Sequence, residues 1–160
     1  MATRNIATWT EGMEDLRTNL MNGAGDTDGL TRSFIKAVQG DLKLVCTPAT
    51  VAKTITSEAW TQTVVVTLTN NDGELCQWYN GNVTIAVGDT GTGTAAILPT
   101  AGAVQMTDGS LTVVLSGDAG ETYWKNTETA TLTVSPTANN AGIVQGSLIA
   151  NATCVVTFAT

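Results

Sequence analysis

From about Asp41 onward the chain repeats one unit: a short run that alternates apolar and polar residues, then a turn built of Gly, Asn or Asp. A period of two puts successive side chains on opposite faces of an extended strand, and no α-helix can satisfy it. "DLKLVCTP" alternates Leu42, Leu44 and Cys46 and is closed by Pro48. "KTIT", "QTVVVTLTN", "NVTIAVG", "GTAAILP", "AVQM", "SLTVVLSG", "TATLTVSP" and "ATCVVTFAT" follow, rich in β-branched residues that suit a pleated, half-buried surface. The turns between them, such as "NNDGE", "YNGN", "GDTGTG", "TDGS" and "SGDAGE", carry Gly, Asn or Asp where positive φ is needed. About seven or eight short strands so punctuated predict a mainly β chain, an antiparallel β-sandwich rather than a βαβ fold.

The chain's 160 residues are enough for one well-packed core. A hydrophobic share of 42% with 13% charged residues argues against a disordered chain. Lys plus Arg is 7 against 14 Asp plus Glu, and a net charge of −7 disfavours nucleic acid as a partner. No run of about eighteen apolar residues predicts a membrane helix. The opening "MATRNIATWTEGMEDL" has no apolar signal-peptide core, so the expectation is a chain made in the cytoplasm. Cys46, Cys76 and Cys154 are widely spaced and form no CxxC pair, which reads as buried thiols; a Cys46–Cys154 or Cys76–Cys154 bridge is the alternative in oxidising solvent.

The first forty residues follow another rule. Trp9, Met13, Leu16 and Leu20 recur at i, i+4, i+7 and i+11, the stripe of an amphipathic helix. Thr8 and Glu11 fit a capping box at its start, and Gly23 follows its end. Leu30, Phe34, Ile35 and Val38 give a second short helical pattern that stops at Gly40. The expected division is a helical N-terminal segment over 1–45 and a sandwich over 46–160. A short helix is marginal alone, so the stripe must be buried on its own chain or on a partner. Trp9, Met13, Leu16 and Leu20, with Arg17 beside them, are the candidate partner-binding residues.

Chemistry finds few candidates. There is no histidine, which removes the usual general base, the usual zinc ligand and any Ser-His-Asp or Cys-His nucleophile. Asp89, Asp108 and Asp118 fall in turns, where they serve the backbone, and Glu11, Glu14 and Asp15 read as a solvated helix face. "GDTGTG" lacks the lysine and following helix that cradle phosphate. Asp26 and Asp28 lack the remaining ligands of a calcium loop. The sequons at Asn82 and Asn151 are read as accidental matches in a Thr-rich chain. No enzyme, cofactor or metal is expected.

Trp60, Trp78, Tyr79 and Trp124 could form a sugar-stacking platform, but packing of one or two of them between the sheets is the favoured reading. Trp78 and Tyr79 are adjacent, so one points in and the other out. The expectation is that Trp78 points in and Tyr79 keeps its hydroxyl in water. Trp124, in the polar stretch "ETYWKN", is expected at the surface, which makes Trp124 and Tyr79 the candidate glycan-binding residues.

Three stretches carry a family resemblance. "VVVTLTNNDGELCQWYNGNVTIAV", "MTDGSLTVVLSG" and "ETATLTVSP" resemble bacterial and phage immunoglobulin-like domains in the spacing of strands and Gly turns, over roughly 50–160. The long connection "GDTGTGTAAILPTAGAV" and the late last strand after "PTANNAGIVQGSLIAN" depart from that pattern. A helical segment before such a domain is similar in architecture to phage head-decoration proteins. That resemblance implies a non-enzymatic virion protein on the capsid surface, assembled in the host cytoplasm. The N-terminal segment would hold the major capsid protein or another virion protein, and the sandwich would project outward toward cell-surface glycans. A carbohydrate-binding adhesin module and a major tail protein are the alternatives.

Overall fold

The computed structural model describes residues 42–55, 59–119, 124–137 and 149–159. The two helical patterns before Asp41, the capping box and the Asp26/Asp28 pair lie outside these residues. The described elements are nine strands: β1 (Lys43–Thr47), β2 (Thr50–Thr54), β3 (Trp60–Thr69), β4 (Asn82–Asp89), β5 (Ala95–Leu98), β6 (Gly102–Gln105), β7 (Ser110–Gly117), β8 (Thr129–Pro136) and β9 (Ala152–Ala159). They form a four-stranded sheet in the order β1-β3-β7-β5 and a five-stranded sheet in the order β2-β9-β8-β4-β6. The expected β-sandwich is therefore present, and its strand order is immunoglobulin-like.

Three details differ from the expectation. Lys43 to Val45 belong to β1, so the sandwich starts before residue 46. One ladder is parallel: β2 runs alongside β9, with Thr50 opposite Val155 and Thr54 opposite Ala159. In chain order β5, on the four-stranded sheet, precedes β6, on the five-stranded one, so the chain crosses between sheets on either side of β5.

Both lateral margins are built alike. β1 climbs half the height of the four-stranded sheet, from Lys43 opposite Thr69 to Thr47 opposite Val65. Pro48 follows, with no N–H to continue the ladder, and β2 resumes in the other sheet. On the far margin β5 descends from Ala95 opposite Gly117 to Leu98 opposite Val114. Pro99 intervenes, and β6 continues in the five-stranded sheet from Gly102 opposite Ile85 to Gln105 opposite Asn82. The Thr47–Pro48 and Leu98–Pro99 peptide bonds are both cis.

The alternation read in the sequence becomes burial. Val64, Val66 and Leu68 of β3 and Val113 and Leu115 of β7 are fully buried against Leu132 and Val134 of β8 and Cys154 and Val156 of β9. Each such side chain contributes about 1.5–3 kcal/mol by leaving water. The intervening threonines face outward, where the β-branched side chain covers backbone and the hydroxyl stays wet.

Candidate interaction surface

The excursion from β3 to β4 begins on a turn organised by one side chain. The Asn70 Oδ1 accepts from the backbone N–H of Asp72 at 3.0 Å and of Glu74 at 2.9 Å. Its Nδ2 donates to the Glu74 carboxylate at 3.0 Å. Gly73 takes φ +82° at the tip, where a Cβ would be strained. The chain then comes back along β3: Leu75 bridges Thr69, and the Cys76 N–H donates to Leu68 O at 2.9 Å.

Cys76 turns inward, and the next three residues make a second turn closed by the Tyr79 N–H on Cys76 O at 3.0 Å. Tyr79 enters the core, 4% exposed, and its hydroxyl donates to Asn82 O at 3.1 Å. Trp78 is left outside, 41% exposed, with its ring edge-on to Tyr79 at 6.0 Å. The expectation of Trp78 inside and Tyr79 outside is thus reversed. One of the adjacent pair does point inward, and it is Tyr79: its ring occupies the space over Gly81, where any Cβ would lie 2.6 Å from its Cζ. A glycine two residues after an aromatic was the signal available in the sequence.

The turn from β6 to β7, which passes from one sheet to the other, ties this excursion in place. The Gly109 N–H donates to Tyr79 O at 2.7 Å, while Gly109 O accepts from Leu68 N–H at 2.8 Å. The Asp108 N–H donates to the Asn80 Oδ1 at 3.0 Å, and the Met106 N–H to Gly81 O at 2.8 Å. Gly109 has φ +71°, and a Cβ there would lie 2.4 Å from Cys76 O, so a side chain would push the two segments apart. Leu75 and Trp78 are consequently presented on a backbone with little freedom of its own.

The other end of the sandwich corrects a second expectation. Trp124 is 1% exposed and stacks on Phe158 with ring centroids 4.4 Å apart. Its indole Nε1 donates to Asp118 O at 3.0 Å. Trp60 packs edge-on against both rings, at 5.6 Å from Trp124 and 5.2 Å from Phe158. The polar neighbours of Trp124 belong to the loop, while its ring closes the core. Trp124 and Tyr79 are buried and Trp60 packs against the core; of the four candidate aromatics, Trp78 is the exposed one. The partner-binding set Trp9, Met13, Leu16, Arg17 and Leu20 lies outside the described residues.

The described acids serve the backbone. Asp89 accepts from Ala95 N–H at 3.2 Å, Asp118 from Thr94 N–H at 3.3 Å and Glu128 from Lys125 N–H at 2.6 Å. All three cysteines are buried and unpaired, so neither of the alternative disulfides is formed. Burial pushes the Cys46 thiol up to about 11, with Cys154 adding to the effect, and burial followed by Glu74 does the same for Cys76. Burial also raises Cys154. Such thiols stay protonated and poorly nucleophilic at neutral pH. Among the described residues no group of three His, Cys, Asp or Glu side chains is placed to hold a metal ion, and no helix is long and apolar enough to cross a membrane.

No protein-family model matches the chain, and none of the curated proteins does. Solved structures of similar layout include WR4, a Caenorhabditis elegans MSP family member, at TM-score 0.42 and 10% identity, covering 72% of this chain and 97% of that one. The apo form of the Calx CBD1 domain matches at TM-score 0.41 and 10% identity, over 75% of this chain and 99% of that one. A Bacteroides ovatus GH5 xyloglucanase matches at TM-score 0.43 and 13% identity over 74% of this chain but 18% of its own. The last match spans a small part of a much longer enzyme, and no activity transfers from any of the three.

Proposed function

We propose that the chain is a non-enzymatic structural subunit of a phage virion, a capsid decoration protein with an outward-facing immunoglobulin-like sandwich. The reading is carried by the use the fold makes of its reactive groups: the acids named above accept from turn N–H groups, and the thiols are buried and protonated. That is the chemistry of a scaffold. The N-terminal stripe of Trp9, Met13, Leu16 and Leu20, with Arg17, is the part assigned to the shell, where a basic side chain suits an acidic capsid surface. Co-sedimentation with purified capsids tests this: the full chain binds and a chain starting at residue 42 does not. A truncated chain that still decorates shells overturns the assignment.

A second reading, a carbohydrate-binding or adhesin module, is favoured by the half-exposed Trp78 on its fixed loop. Flat aromatic faces hold apolar sugar faces, and a rigid loop lowers the ordering cost of binding. A glycan array comparing the full chain with Trp78→Ala separates the two readings. Sugar binding that disappears in the variant supports the adhesin, and a blank array removes it.

A further inference from the structure

Three exposed apolar side chains gather where the chain enters the sandwich. Lys43, the first residue of β1, lies opposite Thr69, and Leu75 pairs with the same Thr69 as its other neighbour. Val45 is opposite Thr67, and Val65 of β3 is opposite Thr47. Val45 (38%), Val65 (38%) and Leu75 (40%) are exposed. Val45 and Val65 alternate with inward-facing neighbours and point away from the core. From the level of Leu75 to that of Val65 is four residues of strand, about 13 Å.

We propose that residues 30–38 of the same chain cover this patch, seating Leu30, Phe34, Ile35 and Val38 on Val45, Val65 and Leu75. Reach is the first reason. The four apolar residues recur at i, i+4, i+5 and i+8, one helical face about 12 Å long. Val38 stands five residues before Lys43, so at most about 18 Å separates them. Gly40, where the pattern stops, lets the chain reverse onto the sheet. The reversal sets Val38 toward Leu75, Phe34 toward Val45 and Leu30 toward Val65.

Other exposed apolar groups are worse placed. Leu98 lies on β5, at the opposite margin of the sheet from β1. Val155, on the outer face of the other sheet, pairs with Thr50, seven residues further along the chain than Lys43.

Charge is the second reason. Between Asp28 and Asp41 the chain carries Arg32 and Lys36 and no acid, in a protein of net charge −7. The end of the sandwich where β1 begins exposes Asp72, Glu74 and Asp108, with Lys43 the one cation there among the described residues. Opposite signs favour the approach of this segment to this end. The contact is small, but a tether of four residues replaces a bimolecular association, so it needs less area than a separate partner would. The Trp9–Leu20 stripe is left free for a shell, and the inference does not rest on that assignment.

A double-mutant cycle in the full chain, read by urea denaturation, is the test. Phe34→Ala is expected to raise the unfolding equilibrium constant at least about tenfold. Combined with Val45→Ala, the joint effect falls short of the product of the two by at least about threefold. Combined with Leu98→Ala, it equals that product within about twofold. Circular dichroism checks that each variant is folded. A second measurement traps the contact directly. Val38→Cys with Leu75→Cys closes a disulfide within the monomer on treatment with oxidised glutathione, and Val38→Cys with Leu98→Cys does not. A Phe34→Ala variant as stable as the wild type overturns the inference. So does full additivity with Val45→Ala, or a Val38/Leu75 cysteine pair that stays open.

Discussion

Two tryptophans sit at opposite ends of this sandwich and exchange the roles their sequence neighbours suggest. Trp124 stands among Glu, Lys and Asn, yet it is 1% exposed and stacked on Phe158. Trp78 comes two residues after the buried Cys76, yet it is 41% exposed and held edge-on to Tyr79. At the first end the ring is the seal and its loop is polar because it faces water. At the second, Tyr79 is the seal and Trp78 is what the loop presents. The lesson is that in a sandwich the polarity of a loop describes its backbone, and the fate of one large side chain is decided by the space beneath it.

The contrast can be broken most forcefully at the Trp124 end. Trp124→Ala removes the stacked ring and its hydrogen bond, and is expected to destabilise the fold by about 3–5 kcal/mol in urea denaturation. A loss comparable to that of a surface substitution would show that the ring seals nothing. Next is Gly109→Ala, where positive φ and the closeness of Cys76 O act together. A cost of about 1–3 kcal/mol is expected, with faster amide exchange across the 70–81 excursion as the local readout.

Tyr79→Phe keeps the seal and deletes the hydroxyl that donates to Asn82 O, for a loss of about 0.5–1.5 kcal/mol. The thiols give a subtler, pH-dependent effect. An unfolded thiol ionises near 9.0, whereas Cys46 and Cys76 in the fold do so at about 11. Their contribution is fully present below about pH 9 and is lost as pH rises through about 11, because only the unfolded chain releases the protons early. Alkaline denaturation of the wild type beside Cys46→Ala and Cys76→Ala measures it: the variants should show a shallower decline over that window. Trp78→Ala should cost least, within about 0.5 kcal/mol, since the ring is only partly covered. If its cost approaches that of Trp124→Ala, the two ends are not different in kind.

The strands were legible because their signal is local. "QTVVVTLTN" and "TATLTVSP" bury alternate residues because every second side chain must face the other sheet. Turn positions were legible for the same reason, since Gly73 and Gly109 take positive φ where the sequence has Asp-Gly. What escaped is set by distance along the chain. The parallel pairing of Thr50–Thr54 with Val155–Ala159 joins residues about a hundred positions apart, and nothing in "VAKT" announces it. Tyr79 points inward because Gly81 leaves space and the Asp108–Gly109 turn fixes the backbone from the far side, a constraint supplied by the distant β6–β7 connection. That Val45, Val65, Val114 and Leu98 all face outward from the four-stranded sheet is likewise invisible in sequence, since each looks like one more strand former until register aligns them.

The proline-marked transfers at Pro48 and Pro99 bear on life at close quarters. Subunits held side by side risk zipping their sheet borders into fibrils, because a long open border offers an incoming strand a row of unpaired amides and carbonyls. Here each border strand ends halfway: β1 and β2 are five residues each, β5 and β6 four. A stray strand aligned with either margin would therefore gain only a few hydrogen bonds before the template moved to the other layer. The same sequence can be packed densely and still remain a set of separate molecules.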